Sequence, residues 1–511
     1  MNDHLIAKRN FFVILIVLIL MTGCYKPGPG AEPWKVSGNE DDGAYAATDQ
    51  GGDSSDPEFS LPGGIAHTPT PNPPIVLPTP RTTTQSYTVQ PGDILRKIAE
   101  KYQVSISTIS TVNEISNPNL IEVGQVLLIP PPSFDDFAPH FKIIPDSELV
   151  NSPSNADFDI DGFIQEQNGY LAGYYARVDG VMLSAAEIVE RVALEYSVNP
   201  RLLLAILEYQ SGWVTAKKPD SATLEFPLRY FDGSRYGLYS QLAWASNLLN
   251  EGYYLWKINA ISVWMLSDGS VIQVDPTINP GTAGVLNLLR FLNNRAEWNQ
   301  SISEIGVFST YYNLFGYPFN AALEPMIPAD LVQPELQLPF EEGAVWSFTG
   351  GPHGGWDTGS AWAAIDFAPP SNASGCVPSG EWVTASAPGE IVYSDHGAVI
   401  QDIDGDGVWQ TGWSIFYMHI DPIDRVSAGT FLETGERIGH PSCEGGFSTG
   451  THLHIARRYN GEWITADGDL PMMMGGWSSV GYGVEYNGYL VNGDRTLEAY
   501  NGRSPLNAIK R

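Results

Sequence analysis

Thr451-His452-Leu453-His454-Ile455-Ala456-Arg457 decides how the last third of this chain folds. The stretch reads as a β-strand. Strand side chains alternate between faces, so His452 and His454 point together into one groove. Outward from it, the sequence after Leu338 falls into short strands separated by Gly-rich turns. Glu390-Ile391-Val392-Tyr393-Ser394 and Ser414-Ile415-Phe416-Tyr417-Met418 alternate with period two, and Gly389, Gly412, Gly435 and Gly439 punctuate them. The pattern predicts an antiparallel, all-β C-terminal domain over residues 338–500. Six of the nine histidines lie after residue 350. His419 ends the strand Ile415-Phe416-Tyr417-Met418, on the face of Ile415 and Tyr417. His353 sits in Gly350-Gly351-Pro352-His353-Gly354-Gly355, where glycines let the backbone come close. Asp366, between Ala364-Ile365 and Phe367-Ala368, is expensive to bury unless a cation or hydrogen bonds compensate. Three His and Asp ligands with an open fourth position are the arrangement of a catalytic zinc site.

These residues lie in segments that follow one another in a family order. Thr349–Gly355 (TGGPHGG), Ala363–Pro370 (AAIDFAPP), Val383–Ser394 (VTASAPGEIVYS), Ile415–Ile420 (IFYMHI), Thr434–Gly450 (TGERIGHPSCEGGFSTG) and Thr451–Arg457 (THLHIAR) resemble the lysostaphin-type peptidoglycan endopeptidases, including their β-lytic subgroup. The resemblance implies that His353, Asp366 and His454 bind one Zn2+ and that His419 and His452 are catalytic histidines outside the metal's ligand set. Two aspartates compete for the metal. Asp357, four residues after His353, has the common family spacing, but it lies among Gly, Trp, Thr and Ser in a solvated loop. Asp366, thirteen residues after His353, has the flanking residues of the family's strand, with Ile365 and Phe367 on one face and itself on the other. Asp366 is therefore the expected ligand. Cys376 and Cys443 share this exported domain and are expected to form a disulfide, worth roughly 4 kcal/mol in loop closure. Asp402-Ile403-Asp404-Gly405-Asp406-Gly407 has the spacing of half a calcium loop but no closing Glu. It makes Asp402, Asp404 and Asp406 a secondary Ca2+ candidate and favours a solvated turn. His396 and His440 read as loop residues.

Towards the N-terminus the signals change. Tyr87–Asp93 (YTVQPGD), Ile98–Val104 (IAEKYQV), Val112–Ile115 (VNEI) and Asn117–Pro130 (NPNLIEVGQVLLIP) predict a small βααβ unit over 86–131. Asp93 is the expected cap of its first helix, Ile94, Ile98 and Tyr102 fall at helical spacing, and Ile109 and Val112 face inward from the second. The unit looks like a LysM domain. That resemblance implies binding of N-acetylglucosamine-containing glycans between two loops, Gly92, Asp93 and Ile94 on one side and Asn119, Leu120 and Ile121 on the other. Residues 150–332 read as a mainly helical domain, with a capping box at Ser184-Ala185-Ala186-Glu187 and an Asn199-Pro200 helix start. Glu208-Tyr209-Gln210-Ser211-Gly212 and Tyr236-Gly237-Leu238-Tyr239-Ser240-Gln241 weakly resemble lysozyme-like transglycosylases. Gln210 stands where the acid should be, and an amide cannot protonate a glycosidic oxygen, so this domain is expected to be inactive.

Residues 1–24 read as a lipoprotein signal peptide: Lys8 and Arg9, the apolar run Phe11–Leu20, then Met21-Thr22-Gly23-Cys24, which resembles a lipobox ending at a lipidated Cys24. Residues 25–85 form a Pro-, Thr- and Gly-rich linker. A formal charge of −31 excludes nucleic acid, whose phosphates require clustered Lys and Arg, and leaves the lipid as the only membrane contact. The expected protein is multidomain, extracytoplasmic and membrane-anchored. Its expected function is zinc-dependent endopeptidase cleavage of peptidoglycan cross-links, with the LysM unit as wall tether. The reading from another class is a non-catalytic wall-binding scaffold or an activator of other hydrolases. Cys24→Ala should shift the protein from the membrane to the soluble fraction; a variant that still sediments with membranes would refute the lipobox.

Overall fold

In the N-terminal unit, β1 (Gln85–Thr88) and β2 (Val126–Ile129) pair antiparallel around α1 (Leu95–Tyr102) and α2 (Ile106–Val112). This is a computed structural model, and it describes residues 75–77, 79–133 and 137–511. Cys24, the apolar leader and most of the linker lie outside these residues. Among the described residues, no helix is long and apolar enough to cross a membrane. Two local expectations are corrected. Asp93 does not cap α1, whose N-cap is Ile94. The Asp93 carboxylate instead closes the turn before it, accepting from Gln90 N and the Tyr87 hydroxyl, both at 2.7 Å. Val112 is 44% exposed, because α2 ends there and, of this helix, only Ile109 is fully buried.

The middle domain is helical, as its periodicity predicts. Hairpin β3 (Tyr175–Val178) and β4 (Val181–Ser184) follows α3 (Ile160–Gln167) and runs into α4 (Ala185–Tyr196). Ser184 and Glu187 form the reciprocal capping box, with Ser184 N donating to Glu187 Oε2 at 2.7 Å. Asn199 caps α5 (Pro200–Ser211) through Arg201 N at 2.9 Å. Then come α6 (Leu238–Lys257), hairpin β5 (Val263–Met265) and β6 (Val271–Gln273), α7 (Pro280–Leu292), α8 (Arg295–Ser301) and α9 (Val307–Phe315). Helices α6 and α7 touch backbone to backbone: a Cβ on Gly252 would lie 2.8 Å from Ala283 O. The β5–β6 hairpin carries the N-terminal unit, since Met265 completes its core and Arg96 donates to the carbonyls of Leu266 and Ser267.

The C-terminal domain is built from β7 (Val345–His353), β8 (Ala364–Ala368), β9 (Val383–Thr384), β10 (Gly389–Asp395), β11 (Ala398–Asp402), β12 (Trp413–Met418), β13 (Phe431–Leu432), β14 (Arg437–Gly439), β15 (Leu453–Tyr459) and β16 (Glu462–Trp463). A nine-stranded antiparallel sheet runs β13-β10-β11-β12-β15-β8-β7, with β16 beside β15 and an edge strand at Ala508–Lys510 that extends it past residue 500. A smaller four-stranded sheet spans Met473 to Glu498. The large sheet has two working faces. Ile365, Phe367, Ile415, Tyr417, Leu453 and Ile455 enter a core of the β domain alone. Phe416, Ala456 and Trp463, on the other side, join the core of the helical domain.

That joint core is large and specific. Trp463 lies buried between the domains, donating Nε1 to Tyr196 O at 3.4 Å while the Arg458 guanidinium stacks 3.8 Å above its ring. Arg458 also donates to the carbonyls of Leu194 and Glu195, at the α4 C-terminus where helix carbonyls lack intrahelical partners. Trp463→Ala should cost about 3–5 kcal/mol and leave both domains unfolding together in urea. Two separate transitions in the wild-type protein would show that the cores are independent.

Candidate metal centre

The register of β8 against β15 sets His454 directly opposite Asp366, both on the face turned away from the β-domain core. The end of β7 brings His353 to the same place through two irregularities in its pairing with β8. Gly350 makes this approach feasible, because a Cβ there would lie 2.4 Å from Asp366 Oδ2. His353 Nε2 and His454 Nδ1 lie 3.2 and 3.4 Å from Asp366 Oδ1 and 3.0 Å from each other.

Hydrogen bonds to backbone carbonyls orient both rings. His353 Nδ1 donates to Gly351 O at 2.8 Å and His454 Nε2 to Gly355 O at 3.0 Å. With those protons placed, the inward nitrogens present lone pairs. Asp366 Oδ1 is buried without a hydrogen-bond partner. Three acceptors therefore converge in a dry site, a donor set that suits a divalent cation. The electrostatics agree. Burial pushes the Asp366 carboxyl up, but the His353 and His452 rings beside it prevail and hold it well below the usual carboxylate range. Burial lowers His353, and Asp366 more than offsets this and raises it. The site thus draws positive charge.

Two further imidazoles adjoin the cluster. His452 Nε2 is 3.7 Å from Asp366 Oδ1, and its Nδ1 donates to Gly450 O at 2.7 Å. The His419 ring centroid lies 4.4 Å from that of His452, and its Nδ1 donates to Glu444 O at 3.0 Å. Burial, then His452 and His454, bring His419 down to about 3. The reason expected for the position of His419 is corrected. Ile415 and Tyr417 face the β-domain core, and strict alternation would send His419 there too. His419 instead has φ 68°, a left-handed turn just past β12 that swings the ring into the groove. The Cys376–Cys443 disulfide ties residues 369–381 to the segment that supplies the Glu444 carbonyl.

Asp357 is not among the three converging groups: it is exposed, and it accepts from Thr358 N at 2.7 Å and from the Tyr196 hydroxyl at 3.2 Å. His440 packs on Trp382 with centroids 3.9 Å apart. The Ca2+ expectation at Asp402, Asp404 and Asp406 finds no support. Asp402 already accepts from Asp404 N and Gly407 N, and Asp406 from Val408 N. Burial, a hydrogen bond with Asp402 and the charges of Asp402 and Asp406 push Asp404 up to about 7. In the N-terminal unit, Gly92 has φ 87°, Ile94 and Leu120 are 52% and 72% exposed, Asn119 is exposed, and Ile121 packs on the core. In the helical domain the transglycosylase-like segments do structural work. Glu208 accepts from Val214 N and Thr215 N, and Gln241 holds Tyr230 O and Arg235 O. The sequence reading passed over Tyr486, which stacks on His353 at 4.2 Å from a loop with no motif of its own.

Comparison with known proteins places three families along the chain: the LysM domain at residues 87–130, the LasA N-terminal domain at 142–328 and peptidase family M23 at 364–466. The last range holds Asp366, His419, His452 and His454, and His353 precedes it. The chain is 27% identical over 320 residues to Protease LasA of Pseudomonas aeruginosa, covering 58% of this chain and 72% of that protein. It is 32% identical over 139 residues to the beta-lytic metalloendopeptidase of Lysobacter enzymogenes, covering 26% of this chain and 74% of the relative. Among solved structures, the M23 metalloprotease pseudoalterin is 21% identical, with 35% of this chain and all of the other covered at a TM-score of 0.29.

The converging acceptors predict an asymmetry between the two aspartates. Added zinc should raise the melting temperature of the wild type and of Asp357→Ala, but not of Asp366→Ala. A zinc response kept by Asp366→Ala and lost by Asp357→Ala would assign the site to the wrong carboxylate.

Proposed function

The chain belongs to peptidase family M23, and from that premise we propose that it is a zinc endopeptidase that hydrolyses the peptide cross-links of bacterial peptidoglycan. The observation that carries this reading is the buried, unpartnered Asp366 Oδ1 facing the lone pairs of two carbonyl-anchored imidazoles. His353, Asp366 and His454 would hold the ion. When bound, zinc supplies Lewis acidity, which polarises a carbonyl and makes water nucleophilic near neutral pH.

The chain's own residues supply the proton chemistry. His419 and His452 commit their Nδ1 protons to Glu444 and Gly450 carbonyls, so each offers an Nε2 lone pair to an attacking water. A ring that has taken the proton becomes the donor for the leaving amine. Burial of His419 keeps it neutral, and therefore able to accept, across the physiological range. In this reading the LysM unit holds glycan through the Gly92–Ile94 and Asn119–Ile121 loops, and a lipid on Cys24 keeps the enzyme at the cell surface.

The test is mass spectrometry of purified peptidoglycan after digestion. Wild type should release fragments with hydrolysed cross-links. His419→Ala and His452→Ala should bind zinc normally yet lose at least about a hundredfold in rate, the usual scale for a general acid–base group. Intact cross-links after wild-type digestion would overturn the function, and zinc loss in either histidine variant would redraw the ligand set.

A further inference from the structure

The residues that orient His454 do not end within the β domain. Its Nε2 donates to Gly355 O, and Gly355 begins a tight loop, residues 354–361, that closes on itself through Gly355 N to Ala361 O and Trp356 N to Ser360 Oγ. The tip of that loop is held by the helical domain. Gly359 N donates to Asn247 Oδ1 on α6 at 2.7 Å, and Asn247 Nδ2 donates to Thr358 Oγ1 at 3.2 Å. Gly359 lies so close to α6 that a Cβ on it would sit 1.9 Å from Asn247 O. Tyr196, the last residue of α4, packs edge-on against Trp356 at 6.2 Å and donates its hydroxyl to Asp357. Beneath the loop, a Cβ on Gly355 would strike the Trp463 ring at 2.5 Å, and Trp463 is itself bonded to Tyr196 O and the Tyr254 hydroxyl.

We propose that the helical domain is a positioning element of the metal centre: Asn247 and Tyr196 hold the 354–361 loop, whose Gly355 carbonyl fixes the tautomer and direction of His454. This rests on the reading of His454 as a metal ligand. Carbonyls that accept from ligand histidines set which nitrogen is free to bind, and their loss weakens metal affinity. The helical domain is then a working part of the folded peptidase, and its contribution is made through Asn247 and Tyr196 as positioning residues.

The experiment measures zinc affinity of the full chain by chelator competition and the visible spectrum of the Co2+-loaded protein, with melting temperature recorded for each variant. Asn247→Ala should weaken zinc binding about tenfold and alter the cobalt spectrum, while Asn247→Asp, which keeps the acceptor for Gly359 N, should restore both. If Asn247→Ala does not fold, Tyr196→Phe, which removes one hydroxyl, is read in the same way with a smaller loss. Wild-type zinc affinity and cobalt spectrum in the folded variant overturn the proposal, whatever its melting temperature. His454→Ala separates the two readings: undiminished zinc binding there refutes the ligand assignment itself, whereas its loss beside an unaffected Asn247→Ala refutes only the positioning role.

Discussion

The antiparallel register of β8 against β15, which sets Asp366 opposite His454, is the constraint on which the rest of the site depends. A slip of one residue would turn Asp366 into the β-domain core and Ile365 or Phe367 into the groove. The alternation resists that slip, because the apolar neighbours of both residues are fully used on the other face. The same two strands thus build a hydrophobic core on one side and gather polar acceptors on the other. Asp366 Oδ1 lies buried and unpaired there, and the imidazoles beside it hold its carboxyl well below the usual carboxylate range.

Strand β15 carries a second function on that face. His454 lies near its start, and Arg458, four residues on and on the same face, reaches the helical domain. Its guanidinium meets the α4 C-terminal carbonyls and stacks on Trp463, so one strand connects the His353–Asp366–His454 cluster to the domain junction. Burial pulls Arg458 down to about 9, and the carbonyl bonds and aromatic faces accommodate it. The helical domain therefore shares a core with the peptidase rather than hanging beside it.

The imidazoles are directed by backbone carbonyls from four separate places, Gly351, Gly355, Glu444 and Gly450. Each takes one ring proton and leaves the other nitrogen facing the groove. The Cys376–Cys443 bridge and the contacts of Asn247 on residues 358–359 restrain the loops that supply some of these carbonyls. Preorganisation of this kind fixes tautomers before any ligand arrives.

Periodicity made much of this legible in the sequence. The two-residue spacing of His452 and His454, the apolar flanks of Asp366, the Ser184–Glu187 capping box and the Asn199 cap are local patterns, and local geometry suffices to read them. The placement of Asp366 in a strand and of Asp357 in a polar loop was also legible. Three things lay beyond the sequence. The left-handed backbone at His419 reverses the face that alternation assigns it. Tyr486 reaches His353 from a segment without a pattern. The union of helical and β cores arises from side chains hundreds of residues apart, such as Tyr196 and Trp463. Sequence by itself determined which residues share a strand face, since that follows from bond geometry along the chain. Tertiary structure alone decided which loops meet, because those contacts depend on how separate elements bury their remaining surface against one another.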